Sequence, residues 1–241
     1  MKYGPSFCLS MVCITILAVM VSVPVTAQSF TEEFVDITTL SGSGWFTQNN
    51  SDDAANAATN WGPITPAVMA PRSEGRYQGN DTVFPAYSGG VTEYIGDNFN
   101  ATTGAQTISD WLMTPTVTIQ NGDTISFWTR TSTGSNYPDR LELRMSVNGS
   151  STDCGTLSTD VGDFSTVLVE VNASLTVGGY PETWAQYSAT ISGLAAPISG
   201  RFAFRYFVTD GGPSGNNSNY IGLDLVEYNS VPVELQSFVI E

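Results

Sequence analysis

Residues 139–147 read Asp-Arg-Leu-Glu-Leu-Arg-Met-Ser-Val, and that alternation sets a period of two. In an extended chain Leu141, Leu143, Met145 and Val147 point one way, while Arg140, Glu142, Arg144 and Ser146 point the other. Residues 201–208 repeat the pattern, with Phe202, Phe204 and Tyr206 on one face and Arg201, Ala203, Arg205 and Phe207 on the opposite one. No stretch of helix length carries a 3.6-residue apolar stripe, and Asp52–Ala58 is at most one helical turn in a loop. Short β-branched or alternating runs predict strands near 30–37, 91–97, 107–119, 123–131, 139–147, 164–171, 183–192, 200–209 and 219–228, with a last extended piece near 231–239. Turn signals separate them at Asn121-Gly122-Asp123, Asn148-Gly149-Ser150, Gly178-Gly179 and Gly211-Gly212-Pro213. The spacing is that of an all-β sandwich of two antiparallel sheets. Low charge (13%) together with 11% aromatic residues argues against disorder. No internal repeat or linker divides residues 28–230, which read as one domain followed by the extended segment 231–241.

Charge removes whole classes of chemistry. The 241 residues hold 23 acids, eight bases and no histidine, a formal charge of −15. Lys2 is the only lysine, so residues 28–241 carry seven arginines against all 23 acids, or −16. A Ser-His-Asp or Cys-His relay, an imidazole-ligated zinc, a Schiff-base lysine and a lysine-containing P-loop each lack an obligatory residue. Nucleic acid is a poor partner, because each neutralised phosphate needs a cation. What remains is Asp/Glu chemistry, hard-metal binding, or no catalysis. A glycosidase needs two carboxyl groups roughly 5–9.5 Å apart, and no phrase isolates such a pair.

Residues 1–27 read as an export signal: Lys2, an apolar run from Cys8 to Val25, and Val25-Thr26-Ala27 before a cut at Gln28. The alternative is an uncleaved anchor; Pro24 and the small-residue site end the run before a full span. No second run of spanning length follows, so the mature chain is expected to be secreted without stable membrane insertion. Cys8 and Cys13 leave with the leader, so Cys154 has no intrachain partner and the fold depends on its apolar core.

Two constellations could meet a ligand. Trp61, Tyr77, Tyr87, Tyr137 and Tyr180 lie in loop-like contexts and could stack on sugar rings, whereas Trp45, Trp111 and Trp128 sit in strand phrases and are assigned to the core. Arg130, Arg140, Arg144, Arg201 and Arg205 fall on expected strands with Asp139, Glu142 and Asp163. They either pair across a sheet face or present forked donors to a ligand. The stretch from Gln48 to Pro85 is the least patterned and is too long for a simple connection.

Several phrases carry a resemblance. Ile108-Ser109-Asp110-Trp111-Leu112-Met113-Thr114-Pro115, Phe127-Trp128-Thr129-Arg130-Thr131, Tyr137-Pro138-Asp139-Arg140-Leu141, Val161-Gly162-Asp163-Phe164, Gly179-Tyr180-Pro181, Gly200–Tyr206, Gly211-Gly212-Pro213-Ser214-Gly215 and Tyr220-Ile221-Gly222-Leu223-Asp224 occur in that order. Over about residues 30–228 the chain resembles bacterial choice-of-anchor J domain proteins, which are similar to cleaved-adhesin domains and, more distantly, to MAM-type jelly rolls. The resemblance implies a jelly-roll sandwich on an exported, non-catalytic protein, with adhesion or glycan binding suggested for some relatives. It also implies a variable C-terminal anchoring signal, yet Val231–Glu241 has neither an apolar anchor nor a basic tail. Jelly-roll relatives often hold calcium where the first and last strands lie together. Carried over, the ligands are Glu32, Asp36 and Asp224, oxygen donors of the type that ion takes.

Two functions follow as expectations. One is a secreted, calcium-stabilised module binding a glycan or a surface protein. The other is a structural cell-surface or matrix protein that self-associates through lateral contacts or strand donation.

Overall fold

The computed structural model describes Met1, residues 28–54 and residues 76–232. Residues 2–27 of the expected leader, Trp61 and the extended segment past 232 lie outside the described residues. Among the described residues twelve strands appear in chain order: β1 (Phe30–Glu32), β2 (Phe46–Asn49), β3 (Tyr77–Gln78), β4 (Ile95–Asn98), β5 (Gln106–Met113), β6 (Val117–Ile119), β7 (Thr124–Thr131), β8 (Leu141–Ser146), β9 (Thr166–Val171), β10 (Ala185–Thr190), β11 (Ile198–Gly211) and β12 (Tyr220–Asn229).

They form two six-stranded sheets. The first runs β10-β7-β12-β4-β3, with β1 also on β12; the second runs β2-β5-β11-β8-β9, with β6 also on β11. Every pairing is antiparallel. The chain is therefore the all-β sandwich its alternation predicts. Between the sheets, Ile125, Phe127, Ile221, Leu223, Val226 and Tyr228 of the first meet Leu141, Leu143, Phe202, Phe204, Tyr206 and Val208 of the second. Leu141, Leu143 and Met145 face this core as expected, while Val147 lies beyond the strand end and is exposed.

Local chemistry explains where the strands depart from the sequence reading. The expected strand 30–37 stops at Glu32 because Phe34 takes a left-handed φ of 53°. Asp36 then caps a 3-10 turn over Ile37–Ser43, accepting from the Thr38 N–H. The expected strand 107–119 is two, β5 and β6, with Pro115 between them. The four-residue β2 and two-residue β3 were not foreseen; their partners, β5 and β4, are remote in sequence.

The outer face of the second sheet decides the arginine question. Glu142 and Arg205 stand directly opposite in register, and Glu142 pairs with both Arg144 and Arg205 (3.3 Å). Arg205 also donates to Ser109 Oγ and the Ser158 carbonyl, and Arg144 to the Phe164 carbonyl, so the loop 147–165 seals this face. Asp163 and Asp139 take no part in the pairing. Asp163 accepts from Asn148 and Ser151, and Asp139 is wholly buried, accepting from Thr131, Tyr206 and the Asn219 N–H.

Candidate functional site: an aromatic shelf on the first sheet

The outer face of the first sheet is built differently. Along β12, Tyr220, Gly222 and Asp224 point outward together. Gly222 pairs with Arg130 of β7 and Gly96 of β4, and Asp224 pairs with Trp128. The two glycines make room for rings: a Cβ at Gly222 would lie 2.8 Å from Trp184 and 2.9 Å from Phe84, and one at Gly96 would lie 2.6 Å from the Tyr220 hydroxyl. Tyr77 stacks on Tyr220 (ring centroids 5.7 Å apart), Phe84 on Tyr94 (5.2 Å), and Trp184 stands edge-on to Phe84 and Tyr94. The Arg130 guanidinium lies 4.4 Å above the Phe84 ring. Burial pushes the Tyr94 hydroxyl up to about 12, so it remains a donor, to the Asn80 carbonyl.

This satellite core ends in an exposed shelf. Tyr87 lies flat on Trp128, with centroids 3.7 Å apart and planes 14° apart, and Trp184 stands 6.5 Å from Tyr87. Hydrogen bonds lock it from beneath. Asp224 Oδ2 accepts the Tyr87 (2.8 Å) and Ser88 (3.1 Å) N–H groups, Ser88 Oγ donates to Glu33, and Trp184 Nε1 donates to the Pro85 carbonyl (2.9 Å). Burial raises the Asp224 carboxyl to about 6. Beyond the rings, Gln186 lies opposite Trp128, and Ser188 and Glu227 lie opposite Ser126, so amide, hydroxyl and carboxylate groups continue the same face.

Trp61 lies outside the described residues, and the other four aromatic candidates separate sharply. Tyr87 is 42% exposed and Tyr137, in the loop after β7, is 51% exposed. Tyr77 and Tyr180 are core residues, a correction to the loop reading. Tyr77 (4% exposed) is held under Tyr220, and Tyr180 (2% exposed) shares a hydrogen bond with Thr129 Oγ1 inside the sandwich. Trp45 and Trp111 are buried as expected, whereas Trp128 is half-buried on the outer face. Its strand explains this: Ile125, Phe127 and Thr129 point inward, which leaves Trp128 beside Arg130 on the outside. That alternation was readable; the role of Trp184 was not, because its partners come from the loop 79–94.

The three candidate calcium ligands are not brought together. Among the described residues no three Asp, Glu, His or Cys side chains cluster as a metal site. Glu32 accepts the Phe34 N–H, Asp36 caps its 3-10 turn, and Asp224 accepts three backbone N–H groups, from Tyr87, Ser88 and Leu225. The three acids are thus engaged locally and, as placed, do not gather around one ion. Asp224 is instead neighbour to Glu33, across Ser88.

No family model matches the chain, and no curated protein matches it. Among solved structures it is similar to the K1 and K3 cleaved adhesin domains of Lys-gingipain from Porphyromonas gingivalis W83. Identities are 17% and 19%, each match covers 85% of this chain and 99% of the other, and both TM-scores are 0.49. The CBM22-1 xylan-binding domain of Xyn10C from Paenibacillus barcinonensis matches at 14% identity over 85% of this chain and 95% of that one, with a TM-score of 0.43.

Proposed function

We propose that this protein is a non-catalytic, exported binding module whose aromatic shelf contacts a neutral glycan. One observation carries the reading: Tyr87 is exposed yet immobilised, stacked on Trp128 and pinned through its own N–H to the buried Asp224. A ring held in this way loses little freedom on binding, so stacking on the apolar face of a sugar is not offset by ordering costs. The neighbouring Gln186, Ser126 and Ser188 supply neutral donors and acceptors for hydroxyl groups. Histidine is absent, and Asp224 is held by three backbone donors as the pin of the shelf rather than beside a nucleophile.

Titration calorimetry with soluble polysaccharides tests the reading. The panel includes a xylan, a β-1,4-galactan and a β-1,3-1,4-mixed-linked glucan; solved structures to which this chain is similar include a xylan-binding domain and complexes with β-1,4-galactotriose and with a β-1,3-1,4-mixed-linked tetrasaccharide. Binding to at least one is expected, weakened about tenfold or more by Tyr87→Ala or Trp184→Ala with folding intact. Binding that both variants leave unchanged would remove the shelf as the contact surface.

A second reading, lateral association, rests on β9. This edge strand is rich in Val and Leu, pairs among the described residues with β8 alone, and exposes Val167. Concentration-dependent light scattering that is abolished by Val167→Lys would favour it.

A further inference from the structure

At the loop end of the sandwich, away from the shelf's stacked rings, lies a cavity of about 360 Å³. Phe99, Tyr137, Pro213, Ser214, Ser218 and Asn219 line it, with the backbone of Gly212 and Gly215. We infer that it is a second binding site, taking a single neutral sugar residue or the end of a short saccharide.

The loops that form it are locked to one another. Asn219 donates its N–H to the buried Asp139 (2.7 Å) and its side-chain amide to Ser135 Oγ (2.8 Å). The Ser218 N–H donates to the Pro138 carbonyl, the Ser214 N–H to the Gly104 carbonyl, and the Gly212 N–H to Ser218 Oγ. Asp139 is fixed in turn by Thr131 and Tyr206 of the sandwich core, so the pocket floor belongs to the rigid frame. Backbone cost is concentrated in the same loop. Asp210 (φ 51°), Gly212 (φ 94°) and Ser218 (φ 71°) are all left-handed, and a Cβ at Gly212 would meet the Gly104 carbonyl at 2.4 Å. Ser218 is the non-glycine one of these that lines the cavity, and such a residue held at positive φ beside a concavity is a mark of a working site.

The lining selects the ligand class. In a chain of charge −15 the described residues put no charged side chain on the wall of this cavity, so they hold neither an anion nor a cation there by pairing. Its walls alternate ring surfaces, from Tyr137, Phe99 and Pro213, with neutral hydroxyl and amide groups from Ser214 and Asn219. Among the described residues the Tyr137 and Ser214 hydroxyls make no hydrogen bond within the protein, which leaves both for a ligand. The volume lies at the small end for ligand pockets, matching a ring or a chain terminus rather than a chain passing through.

This inference extends the glycan reading to a second place, and its test is independent of the shelf. The ¹⁵N-labelled protein is titrated with methyl β-galactoside, methyl β-xyloside and methyl β-glucoside, and amide shifts are followed. Saturable shifts at Tyr137 and residues 212–219 are expected with at least one glycoside. Tyr137→Ala should weaken them about tenfold, and Ser214→Trp, at an exposed position, should abolish them, while the rest of the spectrum and polysaccharide binding at Tyr87 persist. Shifts confined to the Tyr87–Trp184 region, or 212–219 shifts unaltered in both variants, would overturn the second site and leave the shelf standing. Pocket shifts in a protein that binds no polysaccharide would do the reverse.

Discussion

Both outer faces of this sandwich are covered, by opposite means. On the second sheet, Arg205 is buried against Glu142, Ser109 Oγ and the Ser158 carbonyl, and the Phe207 ring sits between Arg205 (3.7 Å) and Arg140 (4.2 Å). Burial pulls the Arg205 guanidinium down to about 10, and each donor it spends on the covering loop tightens the seal. On the first sheet the covering segment 79–94 is held by rings, with Asp224 as its polar pin. A guanidinium taken from water must have its hydrogen bonds filled, and filling them closes the surface. Rings need only contact, so the outermost ones, Tyr87 and Trp184, keep faces for another molecule.

The contrast can be broken hardest at Arg205. Arg205→Ala leaves Glu142 with Arg144 as its remaining guanidinium partner and removes the donor to the Ser158 carbonyl beneath the loop 147–165; it should cost about 3 kcal/mol in urea unfolding, while glycan binding by the folded fraction stays unchanged. Next is Gly222→Ala, whose new Cβ collides with Trp184 and Phe84. About 1–3 kcal/mol of stability should be lost, and with it affinity at the shelf, because the rings are displaced from below. The two readouts moving together there and apart at Arg205 would sharpen the distinction between a seal and a shelf.

A smaller effect is expected from pH. Asp224 has a folded-state value of about 6 against an ordinary 3.8, so the folded protein holds this proton more tightly than the unfolded one. Its contribution to stability is therefore fully present below about pH 4 and is lost as pH rises through about 6. Asp224→Asn should flatten that part of a melting-temperature profile; a wild-type profile that instead climbs between pH 4 and 6, with the variant unchanged, would contradict the assignment. Smallest of all is the expected response to calcium. Since Glu32, Asp36 and Asp224 are engaged by backbone N–H groups, melting in calcium or in chelator should agree. A clear rise with calcium would mean that these acids rearrange around an ion.

Much of the framework could be read from residue order. The strand expected at 123–131 is β7 at Thr124–Thr131, and the faces assigned to residues 141–145 and 201–206 are the faces observed. Strands longer than about six residues announce themselves because alternation needs several periods to register. Two-residue β3 and four-residue β2 have no such signal, since their pairing energy comes from β4 and β5. Candidate sites were less legible. Neither Tyr77 nor Tyr87 sits in an alternating run, yet one is a core ring and the other an exposed one.

Composition and period therefore determined, without coordinates, that this chain pairs strands into two sheets around an apolar core and runs no histidine chemistry. They did so because side-chain direction in a strand and the inventory of reactive groups are local properties. Which acid meets which donor, which tyrosine keeps a free face, and that Trp128 lies under Tyr87 were decided only when segments 79–94 and 180–184 folded onto β7 and β12. Those choices depend on contacts between residues up to 137 positions apart, such as Asp224 with Tyr87, and no local pattern encodes them.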